Sequence, residues 1–260
     1  MTEENRSRLK VLDRDIVKFI ALIPMFIGHT VAWINMMHLE DSDNAVYKLP
    51  MALMILSGIS LICPPIMFFF IADGYKYTRD RKKYAKRLLL FALITQPFDW
   101  LLFQPIYGFW TSNVIFTLFF GLLAIMAWES GLKLWQRIGL IILCDSATVL
   151  IMSDWIVFGV LFILVLHIFR DRPKARAIAY FSLTAVYFLP NLFSIGKVPT
   201  VKLLVYVSVM ILMFTAAYLC MTVFYSGKKG SHPLFSKWFF YIFYPAHYLV
   251  IWLLGRFVIK

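Results

Sequence analysis

The sequence predicts an all-α, polytopic transmembrane bundle, and three observations lead there. Of its 260 residues, 61% are hydrophobic and only 15% charged, against roughly 45–50% and 25% in soluble domains. The apolar residues come in long, unalternating runs, which suit helices rather than a membrane barrel. The basic residues cluster in every second connection between those runs. A single compact bundle over residues 1–260 is expected, with neither a linker nor a strong internal repeat.

About nine spans follow in order, within a range of eight to eleven. They cover residues 16–37, 51–72, 88–106, 113–128, 138–152, 155–169, 177–193, 201–225 and 238–257. A full crossing takes about 20 residues. The pair between 138 and 169 is shorter, so tilted, broken or re-entrant helices are expected there. The start of the chain is charged and no small-residue cleavage site follows its first apolar run, so 16–37 reads as a retained span.

Charge placement gives an orientation. One set of connections holds Arg6, Arg8, Lys10 and Arg14, the stretch 76–87, Lys133 and Arg137, the stretch 170–176, and Lys228, Lys229 and Lys237. The alternate set holds Glu40, Asp41, Asp43 and Asp154, with Lys48, Lys197 and Lys202. The positive-inside rule puts the first set, and the N-terminus, in the cytoplasm. An odd span count then puts the C-terminus outside. The net charge of +12 is explained by this topology and by membrane lipids, with no nucleic-acid partner expected.

Polar groups at membrane depth carry the functional reading, because ionisable residues are costly there. His29 lies in the first span, and its imidazole suits proton transfer near neutral pH. Asp99 sits at similar depth, with Gln96 one turn before it. Asn113 opens the fourth span with Thr117 a turn further in, Asp145 lies mid-depth in the fifth, and His247 is near the middle of the last. Asp99 is the first choice for a carboxylate that orients His29. Each polar group also has a plainer reading as interhelical packing. The stretch KYTRDRKKYAKR, residues 76–87, reads either as a topology signal with anionic-lipid contact or as a phosphate cradle. Cys63, Cys144 and Cys220 are far apart and read as small buried hydrophobes, so neither disulfide nor metal site is expected. Gly-rich phosphate loops, zinc spacings and a GxSxG elbow are all absent from the sequence.

Several segments together resemble the TraX family of bacterial integral membrane proteins. They are KFIALIPMFIGH (18–29), FFFIADGYKYTRDRKKYAKRLLLFALITQPFD (68–99), NVIFTLFFGLLA (113–124), SDWIVFGVLFIL (153–164) and FYIFYPAHYLVIWLL (240–254). The family is associated with N-terminal acetylation of conjugative pilin and is similar to transmembrane acyltransferases. The resemblance implies that His29 is the catalytic histidine, with Asn113 and His247 lining the acceptor site; Gln96 and Asp145, polar at membrane depth, are expected to bind substrate with them. It implies acetyl-CoA as acyl donor, with Tyr75, Arg79 and Arg87 at its phosphates, and the basic stretch adds Lys76 to them. The family pattern has Asp before the histidine, where this chain has Gly28. The expected function is acetyl transfer to a pilin or other peptide, a glycan or a small amine. A proton-coupled transporter or flippase, and a non-catalytic pilus or secretion assembly factor, are the rivals.

Overall fold

A computed structural model describes residues 9–38, 45–107, 110–231 and 233–257. Arg6, Arg8, Glu40, Asp41 and Asp43 lie outside them. Among the described residues no strand forms, and two isolated bridges join Leu12 to Tyr225 and Ser112 to Ser153. The helices are α1 (Arg14–His38), α2 (Met51–Ile59), α3 (Cys63–Tyr77), α4 (Arg81–Tyr107) and α5 (Val114–Trp128). They continue as α6 (Leu134–Leu150), α7 (Phe158–Ile168), α8 (Pro173–Phe188), α9 (Thr200–Leu219) and α10 (Pro233–Phe257). This is an all-α membrane protein.

Five stretches among the described residues are long and apolar enough to cross a bilayer: Arg14–Ile34, Met51–Tyr77, Pro173–Ser194, Thr200–Phe224 and Trp238–Phe257. The other four of the nine predicted spans differ. α5 and α7 are apolar but have 15 and 11 residues, about 22 and 16 Å of helix against a core of about 30 Å. α4 is long, but its first turns are basic and its middle carries Gln96 and Asp99. α6 begins with Gln136 and Arg137 in its first turns. The predicted span 51–72 tightens into a 3-10 turn at Ser60–Ile62. Pro64 and Pro65 follow, and neither has an N–H to offer the carbonyls four residues back.

The chain divides into two compact units. The first comprises Met1–Met67, Phe188–Phe243 and Leu253–Lys260. Its apolar core gathers Val31, Tyr47, Leu49, Met54 and Leu203. Lys202 Nζ donates to the carbonyls of Tyr47 and Leu49 at 2.9 and 2.7 Å. Small residues allow close approach there: a Cβ on Gly28 would overlap Ser60, and one on Gly58 would overlap Val209.

The second unit comprises Phe68–Tyr187 and Tyr244–Trp252. Its centre is the pair α5 and α7, which run parallel. A Cβ on Gly159 would meet Thr117 Cγ2 at 2.3 Å, and one on Gly121 would meet Ile163 Cδ1 at 2.2 Å. Those glycines let the two backbones lie close. α6 returns the chain between them, capped at its start by Gln136, whose Oε1 accepts from Lys133 N at 3.0 Å. The predicted irregularity between 138 and 169 falls at 151–157. Met152, Trp155 and Val157 there adopt φ of 48°, 62° and 62°, a left-handed region uncommon for non-glycine residues.

Candidate functional site

Polar chemistry in the second unit collects at the two ends of α5. At the N-terminal end, Asn113 is the N-cap, and its side chain accepts from Ile115 N at 3.1 Å. An Asn cap satisfies one of the orphan N–H groups that begin a helix. The same side chain donates through Nδ2 to Gln96 Oε1 at 2.8 Å and to the Ala92 carbonyl at 3.0 Å. Gln96 Oε1 also accepts from Asn113 N at 3.1 Å. Gln96 Nε2 donates to the Thr111 carbonyl at 2.7 Å and, more weakly, to Asp99 Oδ2 at 3.3 Å. Trp100 Nε1 donates to that same Thr111 carbonyl at 2.8 Å. One face of α4 thus clamps residues 111–113 just before α5 begins.

The loop 151–157 completes this end. Asp154 N donates to the Ser112 carbonyl at 3.0 Å, and Ser112 N to the Met152 carbonyl at 3.1 Å. The Thr117 hydroxyl reaches Ser153 Oγ at 2.8 Å and the Asp154 carbonyl. The exposed Asp154 carboxylate accepts from Val114 N, a favourable place for negative charge at a helix start. The Tyr248 phenol hydrogen-bonds the Asp99 carboxyl. His247 is buried and packs on Tyr248 with ring centroids 4.1 Å apart.

Four residues singled out from sequence, Gln96, Asp99, Asn113 and His247, therefore fall into one buried cluster. Both Asn113 amide hydrogens are engaged, by Gln96 Oε1 and the Ala92 carbonyl. Asp99 finds its partners in Gln96 and Tyr248. Asp145 stands outside the cluster on α6; its Oδ1 is buried with no hydrogen-bond partner among the described residues. His29 belongs to the first unit, half-buried on α1 between Gly28, which abuts Ser60, and Thr30, whose hydroxyl donates to the Phe26 carbonyl at 2.8 Å. Sequence reasoning missed Tyr248 as a site residue. Its adjacency to His247 was the available signal.

The C-terminal end of α5 is built differently. Glu129 follows the helix, and its Oε1 lies 2.8 Å from Nε2 of the buried His167 at the end of α7. Arg137 donates to the Trp128 carbonyl at 3.1 Å and the Leu132 carbonyl at 2.8 Å, so a cation caps the carbonyl end. His167 meets the edge of the buried Tyr75 ring at 5.2 Å. Arg81 lies over the other part of that ring, 4.2 Å from its centroid. Beside it Lys76, Tyr77, Thr78, Arg79, Asp80, Arg81, Lys82 and Met126 line an open pocket of about 630 Å³. Of the residues expected at donor phosphates, Lys76 and Arg79 line this pocket, and Tyr75 is buried under Arg81. Arg87 instead lies over Tyr84, 5.3 Å from its ring centroid. Four cations against one carboxylate fit a phosphate-bearing ligand, and guanidinium forks suit it best. Among the described residues no group of three or more His, Cys, Asp or Glu gathers as a metal site would require.

Fold and site together define a helical integral membrane protein with a buried polar cluster and a basic pocket. The chain belongs to the TraX protein family, whose profile matches residues 13–255. It is also similar to the "Probable fimbrial assembly protein FimC, serogroup H1" of Dichelobacter nodosus. The two are 30% identical over 240 residues, spanning 89% of this chain and 91% of that relative. No solved structure matches the chain.

Proposed function

We propose that this TraX protein works in fimbrial or pilus assembly at the cell membrane, and that its chemical task there is acetyl transfer from acetyl-CoA. The role in assembly rests on the fimbrial relative. The chemistry rests on the family resemblance. The observation that carries the site is the buried cluster of Gln96, Asp99, Asn113 and Tyr248, because groups so polar are costly inside an apolar bundle. The positive-inside rule would turn the basic pocket, and the N-terminus, towards the cytoplasm, where the donor is found. Its cations supply the electrostatic reason for polyanion capture.

In the reaction the acceptor amine or hydroxyl attacks the thioester carbonyl. A C–N or C–O bond forms, the C–S bond breaks, and the departing thiolate takes up a proton. The resemblance assigns the acceptor's proton to His29 as general base. Asp99, with Tyr248 against it, would bind a polar or cationic acceptor group. A second reading, a non-catalytic assembly factor, is favoured by one specific observation. Gln96 and Asn113 satisfy each other so fully that they could serve only as interhelical glue.

The test is radiolabelled acetyl transfer from acetyl-CoA to pilin peptide by the purified protein in nanodiscs. Transfer that falls at least a hundredfold in His29→Ala is expected, in line with loss of a general base. Undiminished turnover in that variant removes His29 from the mechanism. Complete absence of transfer, together with loss of pili on deletion, leaves the assembly-factor reading standing.

A further inference from the structure

The basic pocket contains one cation that differs from its neighbours. Lys76 Nζ lies 5.4 Å from the centroid of the Tyr77 ring, but that ring is 66% exposed and is not itself held. The Arg81 guanidinium carbon instead lies 4.2 Å from the centroid of the Tyr75 ring, and the guanidinium also hydrogen-bonds the Tyr75 phenol. Tyr75 is itself immobilised, 3% exposed, with its ring edge-on to His167 at 85°. His167 is 3% exposed and is held in turn by Glu129 at 2.8 Å. A guanidinium held on an aromatic face keeps its N–H edges available in the ring-parallel plane, and less rotamer freedom is lost when an anion binds.

We infer that Arg81, stacked on Tyr75 and backed by the His167–Glu129 pair, is the pre-oriented phosphate clamp of this pocket, with Tyr75 as its positioning residue. The ligand class is a phosphomonoester or pyrophosphate, read by the bidentate fork rather than by charge alone. The inference rests on the acetyl-CoA reading only for the source of that phosphate. The same chemistry also occurs on anionic lipid headgroups.

The experiment uses the full chain in zwitterionic nanodiscs, titrated with adenosine 3′,5′-bisphosphate and with inorganic pyrophosphate. A parallel series places phosphatidylglycerol in the disc. Arg81→Lys keeps the charge and loses the fork, so binding should weaken about tenfold, as for loss of one charge-assisted contact. Tyr75→Leu should weaken it by a similar factor, while Tyr75→Phe, which keeps the ring face and loses only the phenol that Arg81 hydrogen-bonds, should weaken it less. The Arg81→Lys/Tyr75→Leu double variant should bind no more weakly than either single variant, because the two act as a unit. If acetyl transfer can be followed, donor KM should rise in Arg81→Lys with kcat unchanged.

Independent, multiplicative effects of Arg81 and Tyr75 would overturn the positioning role. Phosphate binding equal to wild type in Arg81→Lys would overturn the clamp itself. Arg81-dependent binding confined to phosphatidylglycerol, with none to either soluble phosphate, keeps the clamp and removes acetyl-CoA as its ligand.

Discussion

The two ends of α5 solve opposite problems with the same helix. At the N-terminal end Asn113, Gln96, Thr117 and the loop backbone bind one another until few donors remain for anything else. At the C-terminal end the cations of residues 76–82 face open space, and one buried histidine is paired with a glutamate whose side chain is 43% exposed. The first arrangement fixes geometry, because an unmade hydrogen bond in apolar surroundings costs more than a made one gains. The second leaves charge available for a ligand that brings its own counter-charge. One end is locked and the other is open.

That contrast can be broken most sharply at Asn113. Asn113→Leu removes the helix cap from Ile115 N and takes the side-chain donor from Gln96 Oε1 and the Ala92 carbonyl, leaving Gln96 Oε1 only the backbone N of residue 113, so unfolding in detergent should be easier by about 2–3 kcal/mol. A loss below about 1 kcal/mol would mean the locked end is not locked. Glu129→Gln keeps a hydrogen-bond partner for His167 and removes only a half-exposed charge. A loss of about 0.5–1 kcal/mol in the same measurement is expected. Arg79→Ala, at the open end, should leave stability within about 0.5 kcal/mol of wild type. A larger loss there would show that the pocket cations hold the fold rather than await a ligand.

Much of this was legible from local rules. The apolar runs located the helices to within a turn or two, and Asn113 stands at the start of its span as the N-cap it proves to be. Intramembrane polarity alone singled out Gln96, Asp99, Asn113 and His247, which the fold gathers. What local rules miss is long-range. Nothing at Asp99 announces Tyr248, which lies 149 positions away in the chain, or 248 − 99. The expectation that Asp99 orients His29 rests on similar depth, and the two residues fall in different compact units. Arg81 looked like one more positive charge in a basic run, since only the folded chain lays it on Tyr75. The left-handed residues of 151–157 carry no glycine signal, because backbone bonds to Ser112 and packing against Gly159 impose them.

The length of α5 has its own consequence. Its 15 residues hold the locked cluster and the basic pocket about 22 Å apart at 1.5 Å per residue. A rigid rod of that size acts as a gauge. A molecule gripped by its phosphates at one end can be felt at the other only if it carries a slender, extended arm of matching reach. Compact acyl phosphates would be held at the pocket and never sensed beyond it.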